Sequence, residues 1–155
     1  MSSNLFLSKF NTPFNTIPFD KITVDHYLPA FEEGIKQGLA EIDAIVTNTE
    51  APTFINTIEA LEKVGPLLEI VSSTFSNLNL AETSKEMQAL AKVISPKLSD
   101  YSNDIILNDA LFKRVEAVYA IKNTLTLTPE QSTLLDKTYK SFVRNGSKLN
   151  AEQKE

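Results

Sequence analysis

The one histidine of the chain, His26, stands in the stretch DHYLPAFEE beside Tyr27 and close to Glu32 and Glu33. An imidazole among carboxylates is the raw material of a metal site or a general base. Zinc, however, takes three or four N, O or S donors in a tetrahedral array, and a lone histidine with helix-surface carboxylates is a poor start on that number. The plainer reading is a partly buried imidazole that packs on the N-terminal segment or supports the start of a helix. Glu32, Glu33, Glu41 and Asp43 fall on solvent-facing arcs of one helix, and Glu59, Glu62 and Lys63 on those of the next. Paired carboxylates do acid–base work only where they converge in a cleft that pushes their pKa values apart, and this spacing gives no sign of convergence. Ser72, Ser73 and Thr74 supply hydroxyls, but there is no second histidine to act as base and no glycine elbow to present a nucleophile. With no cysteine there is no thiolate, disulfide or Cys-type metal site. We therefore assign no catalytic, cofactor-binding or metal-ligating residue to this chain.

The elements that carry these residues read as helices. Leu28, Phe31, Ile35, Leu39, Ile42 and Val46 recur every three or four positions behind Thr23, an N-cap, with Pro29 early enough to be tolerated. Thr53 caps a second stretch, Phe54, Ile58, Leu61 and Val64, which Gly65-Pro66 kinks or breaks before Leu67, Leu68, Val71, Phe75 and Leu78. Thr83-Ser84-Lys85-Glu86 reads as a capping box for a third stripe from Met87 to Ile105, bent at Pro96. Asn108 caps a fourth helix with Leu111, Val115, Val118 and the stem of Lys122 inward. Thr128-Pro129-Glu130-Gln131 opens a fifth through Leu134, Leu135, Thr138 and Phe142, and Asn145-Gly146 closes it with a left-handed cap. No stretch alternates with period two. The expectation is an all-α fold, an antiparallel bundle of about five helices over residues 23–146.

Residues 1–22 differ: Phe6, Phe10, Phe14 and Phe19, with Pro13 and Pro18, predict an extended arm whose aromatics need a surface to cover them. Residues 147–155 differ again. Asn150, followed by Gln153, reads as the cap of a new helix with only five residues after it, too few to hold alone, so we expect that helix to continue beyond Glu155. Ala30, Gly34 and Gly38 make a row of small residues on the first helix, which reads as an internal helix crossing in preference to a docking seam.

Composition bounds the remaining possibilities. A chain of 155 residues with 42% hydrophobic and 23% charged side chains fits one ordinary globular domain. Its net charge of -5 is mild and interspersed, without the basic stripe that phosphates require, so no nucleic-acid partner is expected. No apolar run approaches the ~20 residues of a membrane span, and MSSNLFLSKF lacks the regions of a secretion signal.

Four long strings carry a family resemblance: PFDKITVDHYLPAFEEGIKQGLAEIDAI, APTFINTIEALEKVGPLLEIVSSTFSNLNLAET, ISPKLSDYSNDIILNDALFKRV and TYKSFVRNGSKLNAEQKE. Together they resemble the N-terminal region of the thimet-oligopeptidase-like zinc metallopeptidases, most strongly the bacterial peptidyl-dipeptidase branch, with oligopeptidase A next. Ile55 departs from the pattern, which usually has Glu after PTF. The resemblance implies a large, cytoplasmic, helical enzyme with a deep channel, one zinc held by an H-E-x-x-H helix and a further glutamate, and release of C-terminal dipeptides from short peptides. H-E-x-x-H does not occur in this chain, so the resemblance carries over no catalytic residue. It implies a non-catalytic N-terminal helical domain that forms part of the channel wall, inactive alone, whose partner is the catalytic domain of the same polypeptide. Apolar area uncovered in such a piece would favour self-association. The alternative, from a different class, is a free-standing helical interaction module without enzymatic activity.

Overall fold

The computed structural model describes residues 4–147, and these are all-α, with no strand among them. The long helices are α1 (Tyr27–Val46), α3 (Pro66–Ala81), α4 (Lys85–Ile106), α5 (Asp109–Ala120) and α6 (Pro129–Arg144). Between α1 and α3 lies a π-helical segment, Phe54–Glu59, that runs into one α-turn, α2 (Ala60–Glu62). Gly65-Pro66 therefore acts as a break: Gly65 adopts φ 77°, open to glycine but costly for other residues, and Pro66 opens α3 at its first position. The helix start expected at Asn150 and Gln153 lies outside the described residues.

Most helix ends form as their side chains dictate. Asn108 Oδ1 accepts from Leu111 N–H at 2.9 Å, while Thr128 and Gln131 exchange reciprocal bonds of 3.3 and 3.0 Å. Thr53 does the same with Asn56, at 3.1 and 2.8 Å. At α4 the cap is Ser84, whose hydroxyl accepts from Met87 N–H at 3.1 Å. The box expected from Thr83 to Glu86 does not form: the cap sits one residue later, and Thr83 turns its hydroxyl back onto Asn79 Oδ1 at 2.9 Å. Pro96 is exposed and α4 continues through it. α5 stops at Ala120, so Lys122 lies past the helix in a 3-10 turn, Lys122–Thr124. At the end of α6, Gly146 takes φ 92° and Ser147 N–H reaches back to the Phe142 carbonyl at 3.1 Å, the left-handed closure its sequence predicts.

The contacts divide the chain into two compact units, one comprising the chain up to Gly38 with Gly65–Ser99, the other Leu39–Val64 with the chain from Asp100. In the first, the N-terminal segment forms short 3-10 turns and lays Phe6 into an aromatic series. Phe6 meets Tyr27 at 5.4 Å, Tyr27 meets Phe75 at 5.2 Å and Phe75 meets Phe31 at 5.7 Å between ring centroids. Each such buried ring contributes about 1.5–3 kcal/mol of transfer free energy. Asn4 ties the segment down by donating from Nδ2 to the His26 carbonyl at 2.8 Å. Gly34 lets α3 approach closely, since a Cβ there would stand 3.1 Å from the Leu68 backbone; the small-residue row is an internal crossing at this position.

The second unit has a continuous core of Ile42, Ile45, Phe54, Ile58, Leu111, Phe112, Val115, Val118, Leu135 and Phe142. Beside it Arg114, only 8% exposed, reaches the loop after α1. Its Nη1 donates to the Asn48 and Glu50 carbonyls at 2.8 and 3.3 Å, and its Nη2 to Asn56 Oδ1 at 3.3 Å. One guanidinium thus organises the TNTEAPT turn and the cap of the π-helical segment.

Candidate functional site

The structure gives the histidine a structural task. His26 Nδ1 accepts the Thr23 backbone N–H at 3.1 Å, so the imidazole fills the place that Glu or Gln takes in an ordinary capping box. Thr23 and His26 together open the 3-10 turn Val24–His26 that leads into α1. With Nδ1 committed as an acceptor, the ring supports the helix start, as the plainer sequence reading has it.

The carboxylates are dispersed. Glu33 lies on the exposed face of α1 with Gln37 and Lys36, whose hydrogen bonds hold its carboxyl below the usual range. Glu32 pairs with Lys97 at 3.0 Å, and Glu59 with Lys63 at 2.6 Å. Asp43 is exposed on α1. Glu41 contributes its charge to Tyr101, whose hydroxyl is pushed up first by burial and then by that carboxylate. Ser73 and Thr74 donate back to the Ile70 carbonyl at 3.1 and 2.7 Å, local helix bonds and not an activated nucleophile. Among the described residues, no group of three or more His, Cys, Asp or Glu is placed to hold a metal ion. The residues described do not fit the zinc site that the resemblance implies for a complete enzyme.

What the structure does contain is a groove of about 830 Å³ in the second unit. Its walls are α6, with Pro129, Glu130, Thr133, Leu134, Lys137, Thr138, Ser141 and Phe142, the end of α4, with Ile105 and Ile106, and Leu61 and Glu62 of α2. Reading α6 as one inward stripe runs two faces together. Leu135 and Phe142 are buried in the core, whereas Leu134 and Thr138 stay half-buried on the groove side. The signal that separates them is present in the sequence: Leu134 lies in register with Glu130, Lys137 and Ser141 at helical spacing, a mixed stripe beside the apolar one.

No helix among the described residues is long and apolar enough to cross a membrane. No protein-family model matches the chain. Among curated proteins it is 43% identical over 154 residues to dipeptidyl carboxypeptidase of Salmonella typhimurium, an alignment covering 99% of this chain and 23% of that protein. The dipeptidyl carboxypeptidase of Escherichia coli is 42% identical over 94% of this chain and 21% of its own length. Oligopeptidase A of Escherichia coli follows at 26% over 93% of the chain. The chain thus spans less than a quarter of the length of these relatives. Over nearly its whole length it is homologous to a segment of the dipeptidyl carboxypeptidases, with oligopeptidase A a more distant relation.

Proposed function

We propose that the chain is a non-catalytic N-terminal helical region of a zinc peptidyl-dipeptidase, which releases dipeptides from the C-termini of short peptides in the cytoplasm. The observation that carries this reading is the 43% identity over 99% of the chain to a dipeptidyl carboxypeptidase about four times longer. His26 is engaged in a helix cap, and Glu32 and Glu59 lie in surface ion pairs. The zinc and the H-E-x-x-H helix belong to the rest of the polypeptide. The part played by this region is mechanical. Packed helices with little freedom form a stretch of channel wall that admits flexible peptides and refuses folded chains, so shape selects substrates before chemistry acts.

The test is an assay of the chain by itself on an N-terminally blocked short peptide, with zinc supplied. No dipeptide should appear. Dipeptide release that stops on addition of a chelator would place the chemistry in this chain and overturn the assignment.

A further inference from the structure

The N-terminal segment and α3 enclose a second hollow, about 600 Å³ in volume, whose lining residues all belong to the first unit. Its apolar walls are Phe6, Phe10, Ile17 and Phe19 from the segment and Ile70 from α3. Phe6 is buried and meets Phe10 edge to face at 6.5 Å between centroids, while Phe19 and Ile70 are 51% and 38% exposed. Lys9 is the one charged residue among the described residues that line it. Among those residues its ammonium has no ion-pair partner: Glu33, which lines an adjoining hollow with Lys9, is held instead by Gln37 at 2.9 Å and Lys36 at 3.4 Å. A volume of this size with aromatic walls and a single charge suits a small organic molecule.

The turn beside the hollow is strained. Phe14 and Asn15 take φ 58° and 54°, the only positive values outside glycine among the described residues. Asparagine tolerates that region, whereas a bulky side chain rarely enters it. The turn is closed by its own hydroxyls, with Thr12 Oγ1 donating to the Thr16 carbonyl at 2.5 Å and Thr16 Oγ1 to the Pro13 carbonyl at 3.0 Å. Its effect is to display a ring: Phe14 is 98% exposed, while the next two residues, Asn15 and Thr16, line the hollow. Strain held in place around an unused aromatic is a mark of a functional position.

We propose that this hollow binds a small monocarboxylic acid with an aromatic or branched aliphatic body. The body lies against Phe6, Phe10 and Ile17, the carboxylate meets the Lys9 ammonium, and the Phe14 ring supplies a cover. One cation calls for one negative charge, and a second charge on the ligand would be desolvated against apolar walls without a partner. The site is independent of the peptidase reading.

The probe is hydrocinnamate, with hydrocinnamide as its neutral twin, each titrated into the 155-residue chain at low ionic strength and followed through amide proton–nitrogen correlation spectra. The acid should saturate with a Kd below about 1 mM, shift the amides of Ser8, Lys9 and Ile17, and bind at least ~3-fold more tightly than the amide. Lys9→Gln should remove that preference and leave the affinity for hydrocinnamide unchanged. Phe14→Ala should weaken both ligands by about 3-fold or more without lowering the midpoint of urea unfolding, since the ring is exposed in the free chain. No saturation by about 10 mM, or equal binding of acid and amide, overturns the proposal, and unchanged affinity in Phe14→Ala overturns the cover. Tighter binding of an N-terminally blocked dipeptide ending in phenylalanine would make the occupant a peptide C-terminus and overturn the small-acid assignment.

Discussion

Tyr27 is the residue whose chemistry and surroundings disagree most. It is 2% exposed, and among the described residues its buried hydroxyl has no hydrogen-bond partner. A buried hydroxyl left unpaired costs about 1–3 kcal/mol, so Tyr27→Phe should leave stability unchanged or raise it, read as the midpoint of urea unfolding. Burial also pushes the phenol above its usual range. An acid whose folded pKa is raised holds its full stability below the unfolded value near 10 and loses it as pH climbs through the folded one. The Tyr27→Phe variant should therefore lose less stability than the parent on the alkaline side. The acidic limb has the opposite sign. Glu86 and Glu130 are held below the ordinary glutamate range, each first by its own backbone N–H and then by the capping hydroxyl, Ser84 or Thr128. Their contribution is present above that range and fades as pH falls through the lowered values, so Glu86→Gln with Glu130→Gln should flatten the acid limb of a stability–pH curve. Arg114 is costly to remove because its bonds span distant parts of the chain. Arg114→Met keeps the apolar stem but leaves the Asn48 and Glu50 carbonyls and Asn56 Oδ1 without the cation, an expected loss of about 2–4 kcal/mol by calorimetry.

At the scale of elements, the crossing of α1 on α3 turns on one missing methyl. Gly34→Ala would gain up to ~1 kcal/mol of helix propensity, but its Cβ would meet Leu68 backbone, which cannot rotate away as a side chain would. Overpacking of this kind costs about 1–3 kcal/mol, so we expect a net loss by urea titration. The π-helical segment offers the opposite case. Ile55 is 70% exposed in its first turn, so Ile55→Glu gives up little burial and gains a charge–dipole term of about 0.3–1 kcal/mol, visible as a higher melting temperature. Much of this level is legible in the sequence, because caps and periodic apolar residues are local signals: Thr128-Pro129-Glu130-Gln131, Asn108 and Asn145-Gly146 form as their residues predict. The π turns at Phe54–Glu59 escape such a reading, since a five-residue spacing is one step from the four-residue one and carries no distinct pattern. Arg114 escapes it too, because its partners lie about 60 residues away in sequence. The division into two units is a property of non-local contacts, which periodicity does not encode.

For the whole molecule, we propose a scaffold whose chemistry lies elsewhere on a longer polypeptide. No candidate site residue is drawn from its sequence, and the structure engages His26, Glu32 and Glu59 in capping and surface pairs. What sequence reasoning did not isolate is the groove, since Leu134 and Thr138 read as one stripe with Leu135 and Phe142 yet stay only half-buried. If the proposed role holds, a wall that sieves by shape makes dipeptide release by the longer protein fall steeply between short flexible peptides and folded proteins ending in the same residues. The measurement that bears most directly on the central claim is zinc content and dipeptide release for the protein made from the full reading frame. The account predicts about one zinc per chain and release of C-terminal dipeptides that a chelator abolishes and zinc restores. A full-length protein that binds no zinc and leaves such peptides intact would contradict it.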